Sequence, residues 1–196
     1  MNRREAIKKT GLALGFAATS PLLMHLVQSC ESKKPLGWKP KFFNEKQALL
    51  IAALADQILP KTDTPGALDV GVDSFVDKMV AEVYNKKEQQ QFLEGLDNFE
   101  KNCELKNGKI FTDLNNEEKY DALFSLQSEI KYLSFENDPN EKPFFLMLKE
   151  LVLLGYFTSE EIMTKHLDYM PVPSQLIGCE PMESNQKLRV GNYFQG

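Results

Sequence analysis

Two stretches of this chain, ALLIAALA at 48–55 and FFLMLKELVLLGYF at 144–157, are apolar on nearly every side of a helix. A helix without a polar face lies at the centre of a core or under a partner. Both stretches fall short of the roughly twenty apolar residues that span a bilayer. The chain must therefore wrap them with other helices, or with a second protein.

The remaining sequence supplies such helices. Asn44, followed three residues later by Gln47, predicts a capping box opening a helix over 43–59, which Pro60 ends. Val72, Phe75, Val76, Met79, Val80, Val83 and Tyr84 recur at helical spacing, with Asp73, Asp77, Lys78 and Glu82 on the opposite face. Phe92, Leu96, Phe99 and Cys103 form one line of a third helix over 87–103. Asn115 with Glu118 predicts a capped fourth helix over 115–133. A fifth begins near Pro143 and stops near Gly155, and Thr158 with Glu161 predicts a short, capped sixth. No alternating β pattern of any length occurs. The expected fold is all-α, a compact bundle of about five to six helices. After Leu167 comes an irregular arm with three prolines, which either drapes over the bundle or lies on another protein.

The first thirty residues do not belong to the bundle. Arg3, Arg4, Lys8 and Lys9 make a basic start, residues 11–27 are mostly apolar, and Ser29 and Cys30 follow. This is the layout of a secretory signal. NRREAIK is similar to a twin-arginine signal, the export route for folded proteins, and VQSC resembles a lipoprotein box with Cys30 as the acylated residue. An ordinary secretory signal with a chance cysteine is the plainer alternative. The expected organisation is a signal over 1–29, a tether over 30–42 and a helical domain over 43–196. Acyl chains on Cys30 would hold the protein on a membrane surface. The whole chain of 196 residues carries a net charge of -5, and losing 1–29 makes it more acidic still. An acidic surface excludes nucleic acid as a natural partner.

The search for chemistry is short. The sequence lacks G-x-G-x-x-G, a P-loop, H-E-x-x-H, G-x-S-x-G and C-x-x-C-H. His166, the one histidine after the signal, has no evident catalytic or zinc partners. Asp63, Asp69, Asp73 and Asp77 could offer oxygens to calcium, but not at EF-hand spacing. TPGA at 64–67 is ordinary turn chemistry, and Asp69 or Asp73 suits the positive end of the second helix. The acidic loop therefore reads as a structured turn, or as a contact with a partner. Cys103 and Cys179 either pair with each other, stay free, or crosslink to another chain.

Three segments carry a resemblance. ADQILPKTDTPGALDVGVDSFVDKMV at 55–80, LGYFTSEE at 154–161 and PVPSQLIGCEPM at 171–182 occur in order. Together they resemble the gluconate 2-dehydrogenase subunit 3 family, from about Phe43 to Met182. The resemblance implies a non-catalytic small subunit of a membrane-associated, flavin-dependent dehydrogenase of sugars, sugar acids or glycosides. It implies that FAD sits in the large partner subunit and none in this chain, and that a cytochrome c, with haem c in a third subunit, often takes the electrons. It also implies help with export and assembly of the large subunit, on the periplasmic side of a bacterial membrane. Pro60, Pro65, Gly66, Asp69, Tyr156, Phe157 and Cys179 are the candidate partner contacts. A folded flavoprotein needs the twin-arginine route more than a small helical chain does, which fits a signal-bearing escort whose two over-apolar helices and tail clasp the flavoprotein. The rival reading is a stand-alone lipoprotein that holds a ligand or partner by itself.

Overall fold

The computed structural model describes residues 36–133, 142–169, 184, 187 and 189–190. Arg3, Arg4, Cys30 and Cys179 lie outside them. The chain divides into two units, Met1–Gly37 and Trp38–Gly196, and all elements below belong to the second. They are α1 (Glu45–Ile58), α2 (Val72–Glu82), α3 (Lys86–Asn107), a 3-10 turn (Phe111–Asp113), α4 (Asn116–Leu133), α5 (Phe144–Phe157), a π-turn (Ile162–His166), β1 (Asp168–Tyr169) and β2 (Arg189–Val190). The all-α expectation holds.

Local signals place most helix starts. Asn44 accepts from the Gln47 amide at 2.9 Å while the Gln47 side chain accepts from the Asn44 amide at 3.2 Å. Asn115 and Glu118 exchange the same pair of bonds, both at 2.9 Å. A third box, Asn85 with Glu88, opens α3 one residue earlier than periodicity places it. Each cap satisfies amides that the first helical turn leaves without partners.

α5 is the centre. It packs against α1, α2, α3, α4 and the π-turn. Phe144, Phe145, Met147, Leu148, Leu151, Val152, Gly155 and Tyr156 are buried in it, as are Ala48, Leu50, Ile51, Leu54 and Ala55 of α1. Most of both apolar stretches thus lies in the core, while Leu154 and Phe157 at the end of α5 stay exposed. Phe92 is a hub, with ring centroids 5.1 Å from Phe144, 5.7 Å from Phe43 and 6.2 Å from Tyr84. Burying each such large apolar side chain is worth about 1.5–3 kcal/mol. Two crossings require glycine. A Cβ on Gly95 of α3 would lie 2.2 Å from Cβ of Phe144, and one on Gly155 of α5 would lie 2.6 Å from Cδ1 of Phe75.

Three expectations need correction. Asp73 and Asp77 do not form a solvated face. Asp77 is 1% exposed. Its Oδ2 accepts from the amide of Lys41 at 2.7 Å, and its Oδ1 from the amides of Phe42 and Phe43 at 3.0 Å each. Trp38 Nε1–H donates to Asp73 Oδ2 at 2.7 Å, and Lys41 pairs with Glu82 at 2.6 Å. The segment Trp38–Phe43 is thereby fastened along α2. Three consecutive amides arriving before a helix need acceptors, and a carboxylate supplies them. Second, Val83 is 63% exposed, because α2 stops at Glu82 and the chain turns away from the stripe. Third, Thr158 does not cap a sixth helix. Its hydroxyl donates back to the Leu154 carbonyl at 2.6 Å, and Glu161 pairs with Lys165 at 3.1 Å. Such back-bonding competes with capping.

Two described pieces of the arm meet. β1 and β2 pair in parallel, Asp168 with Arg189 and Tyr169 with Val190, and Lys187 Nζ donates to the Lys165 carbonyl at 2.6 Å.

Cys103 is a free thiol, 3% exposed, on the inner line of α3. Burial first, and Glu100 second, push it from an ordinary value near 9.0 up to about 11. Only the thiolate is nucleophilic. Alkylation of the native thiol at pH 8 should therefore run about a hundredfold slower than that of an ordinary cysteine, and speed up toward pH 11. Timed labelling across that range, read by mass spectrometry for Cys103, checks this; rapid labelling of folded protein at pH 8 would contradict it.

Candidate functional site

Pro60 stops α1, and the chain then makes a turn closed by its own backbone. The Ala67 amide donates to the Leu59 carbonyl at 2.9 Å, the Thr62 amide to the Thr64 carbonyl at 3.1 Å, and the Val72 amide to the Ala67 carbonyl at 3.0 Å. Gly66 and Asp69 form a reciprocal pair: the Gly66 amide donates to Asp69 Oδ2 at 2.9 Å and the Asp69 amide to the Gly66 carbonyl at 3.1 Å. Gly66 is needed for closeness, since a Cβ there would lie 2.7 Å from the backbone nitrogen of Lys61 and 3.2 Å from the carbonyl carbon of Pro60. Gly71, at φ 72°, then turns the chain into α2.

The Gly66 amide first, and Lys61 at 3.2 Å second, hold the Asp69 carboxyl below its usual range. A depressed value means the contact contributes above the ordinary carboxylate range and is lost as pH falls through the lowered one.

The turn is joined to the end of α5. Tyr156 Oη–H donates to the Pro65 carbonyl at 2.8 Å and lies 3.4 Å from the Thr64 hydroxyl, across ninety-one residues of sequence between Tyr156 and Pro65. The first two of the three sequence segments singled out above thus meet. Pro60, Pro65, Gly66, Asp69 and Tyr156 form one structure, and Phe157 follows with its ring edge-on to Tyr156 at 5.3 Å. Their exposures differ. Tyr156 is 8% exposed and supports the turn, whereas Phe157 is 47% exposed. Leu154 and Leu68, both large, apolar and exposed, flank the joined pair in sequence. Sequence reasoning missed these two; Leu154 lies inside the LGYF segment, where helical phase alone could have placed it outside. Replacing Tyr156 by Phe removes one hydrogen bond and should lower stability by about 1 kcal/mol. It should also speed amide exchange at Ala67, and unchanged exchange there would contradict the joint.

The four aspartates do not converge. Asp69, Asp73 and Asp77 are each engaged with separate donors, as described, and among the described residues no group of three or more His, Cys, Asp or Glu is gathered as a metal site. His166 ends the π-turn.

Comparison with known proteins gives one match. The sequence model of a family described as Gluconate 2-dehydrogenase subunit 3 matches residues 45–173. The match opens with the first residue of α1, contains the turn and Tyr156, and ends before Cys179. No curated protein and no solved structure matches the chain.

Proposed function

Because the chain belongs to the gluconate 2-dehydrogenase subunit 3 family, we propose that it is the non-catalytic small subunit of a FAD-dependent dehydrogenase acting on sugars, sugar acids or glycosides. The flavin and the chemistry reside in the large subunit. A cytochrome c, bearing haem c, receives the electrons. The complex works on the periplasmic side of a bacterial membrane, to which the acylated Cys30 attaches this chain. Arg3 and Arg4 provide the twin-arginine signal for both proteins, so that the flavoprotein crosses folded.

The observation that carries this reading is the joint between Tyr156 and Pro65 inside the matched residues. It fixes a rigid turn beside exposed Leu68, Leu154 and Phe157. A preorganised turn edged by exposed apolar side chains is what a partner surface needs. The residues that face the partner in this reading are Pro60, Pro65, Asp69 and Phe157, with Gly66 and Tyr156 holding them in place and Cys179 at the far end of the contact. The rival, a lipoprotein with a ligand inside its bundle, calls for a chamber of about 300 Å³ or more. Among the described residues the two cavities flanking α4 are smaller, about 150 and 190 Å³.

Export provides the test. Arg3→Lys with Arg4→Lys should strand both this chain and the flavoprotein in the cytoplasm of the host, as read by fractionation and flavin fluorescence. Normal arrival of the flavoprotein in the periplasm would sink the shared-signal reading.

A further inference from the structure

Over its described residues α4 is lightly embedded. Over residues 116–128 only Leu123 is buried. Tyr120 and Phe124, one turn apart, are each 60% exposed, with rings stacked at 6.1 Å and 17°. They form the lip of a groove of about 190 Å³ whose apolar walls are Ile58, Leu123 and Phe145, with Gln57, Gln127 and Lys149 also lining it. Exposed aromatics side by side over an apolar groove mark an interaction surface.

The charge around that lip identifies what it suits. Glu117 is three residues from Tyr120 and four from Asp121, and Asp121 is three from Phe124, so all four are surface neighbours. Glu118 is committed to the Asn115 amide, and Lys119 is the only cation over 116–128. A flat aromatic shelf edged by carboxylates matches a guanidinium, which stacks on rings and pairs with carboxylates at once. The same acidic edge opposes a second copy of this face and an anionic membrane. A groove of about 190 Å³ has room for one large apolar side chain.

Resting on the accessory-subunit reading above, we propose that this face of α4 receives an arginine-bearing segment of the flavoprotein subunit. The arginine lies over Tyr120 and Phe124 with Glu117 and Asp121 at its edge, and a neighbouring apolar side chain fills the groove. The last turn of α1, whose Ile58 walls the groove, leads directly to Pro60 and the turn, so the two contact regions adjoin.

The test compares the full chain with two variants, Glu117→Arg/Asp121→Arg and Tyr120→Ser/Phe124→Ser, each extracted from host membranes in mild detergent. All four positions are exposed, so thermal melts followed by circular dichroism should match the parent. The parent is expected to bring down a flavin-containing large subunit, and each variant to recover at least tenfold less flavin. Equal recovery by parent and variants would overturn the α4 proposal and leave the accessory-subunit reading standing. No flavin with the parent would overturn both. A dimer of this chain alone that the variants abolish would assign the face to a second copy and overturn the proposal.

Discussion

Replacing Asp77 with alanine is expected to cost about 3–4 kcal/mol, the largest single-residue effect in this bundle outside the aromatic core. The carboxylate is 1% exposed and accepts from three successive amides, at 2.7, 3.0 and 3.0 Å. Hydrogen bonds to a charged group are each worth about 1.5–3 kcal/mol, and a buried donor left without an acceptor adds a desolvation cost. Simple addition would overshoot, because the bonds share one acceptor group and the Lys41 and Phe42 amides are only part-buried, where water can substitute. Asp77→Asn should cost about half as much, since one of its two terminal atoms becomes a donor facing donors. Asp73→Ala, which loses only the Trp38 bond, should cost about 1 kcal/mol. Urea unfolding followed by circular dichroism decides it. The expected result is a lower midpoint at an unchanged slope; an Asp77→Ala midpoint within error of the parent would refute the anchoring role.

Gly95→Ala should cost about 2–3 kcal/mol, although alanine is the better helix former by about 1 kcal/mol. The added methyl would fall 2.2 Å from Phe144 Cβ and 2.6 Å from its Cγ. Carbon atoms rest about 3.5–4.0 Å apart, so α3 and α5 must separate. Phe144 has little freedom to give way, being 8% exposed with its ring set against Phe92 at 5.1 Å. A double-mutant cycle isolates the clash. In the background of Phe144→Gly, which removes the Cβ that the new methyl would meet at 2.2 Å, Gly95→Ala should be nearly neutral. An equal loss in both backgrounds would place the cost elsewhere.

The sequence was most legible where structure is decided within one helical turn. The Asn44–Gln47 and Asn115–Glu118 boxes, the Pro60 stop and the buried line of Phe92, Leu96, Phe99 and Cys103 depend on neighbours three or four residues away. It was least legible where a polar residue answers a distant need. Nothing near Asp77 announces that the amides of Lys41–Phe43, more than thirty residues upstream, will converge on it. The same holds for Tyr156, whose hydroxyl meets Pro65 only after the bundle has formed; family resemblance flagged both motifs, while periodicity alone joined neither to the other. Thr158 had the composition of a cap, but the end of α5 offered the Leu154 carbonyl first. The β1–β2 pairing is two residues long, too short to leave an alternating pattern.

Among the described residues the bundle's exposed large apolar side chains include Leu68, Leu154 and Phe157 around the turn and Tyr120 and Phe124 on α4, with Val83, Leu105 and Tyr169 elsewhere. In the proposed function the turn and α4 both face one large protein.

The most direct measurement is mild-detergent purification of the full chain from its host membranes, followed by an absorbance spectrum and a gel. The account predicts a yellow preparation with oxidised-flavin bands and a large second polypeptide in equal amount. A colourless preparation containing this chain alone, from cells shown to make the flavoprotein, would contradict it.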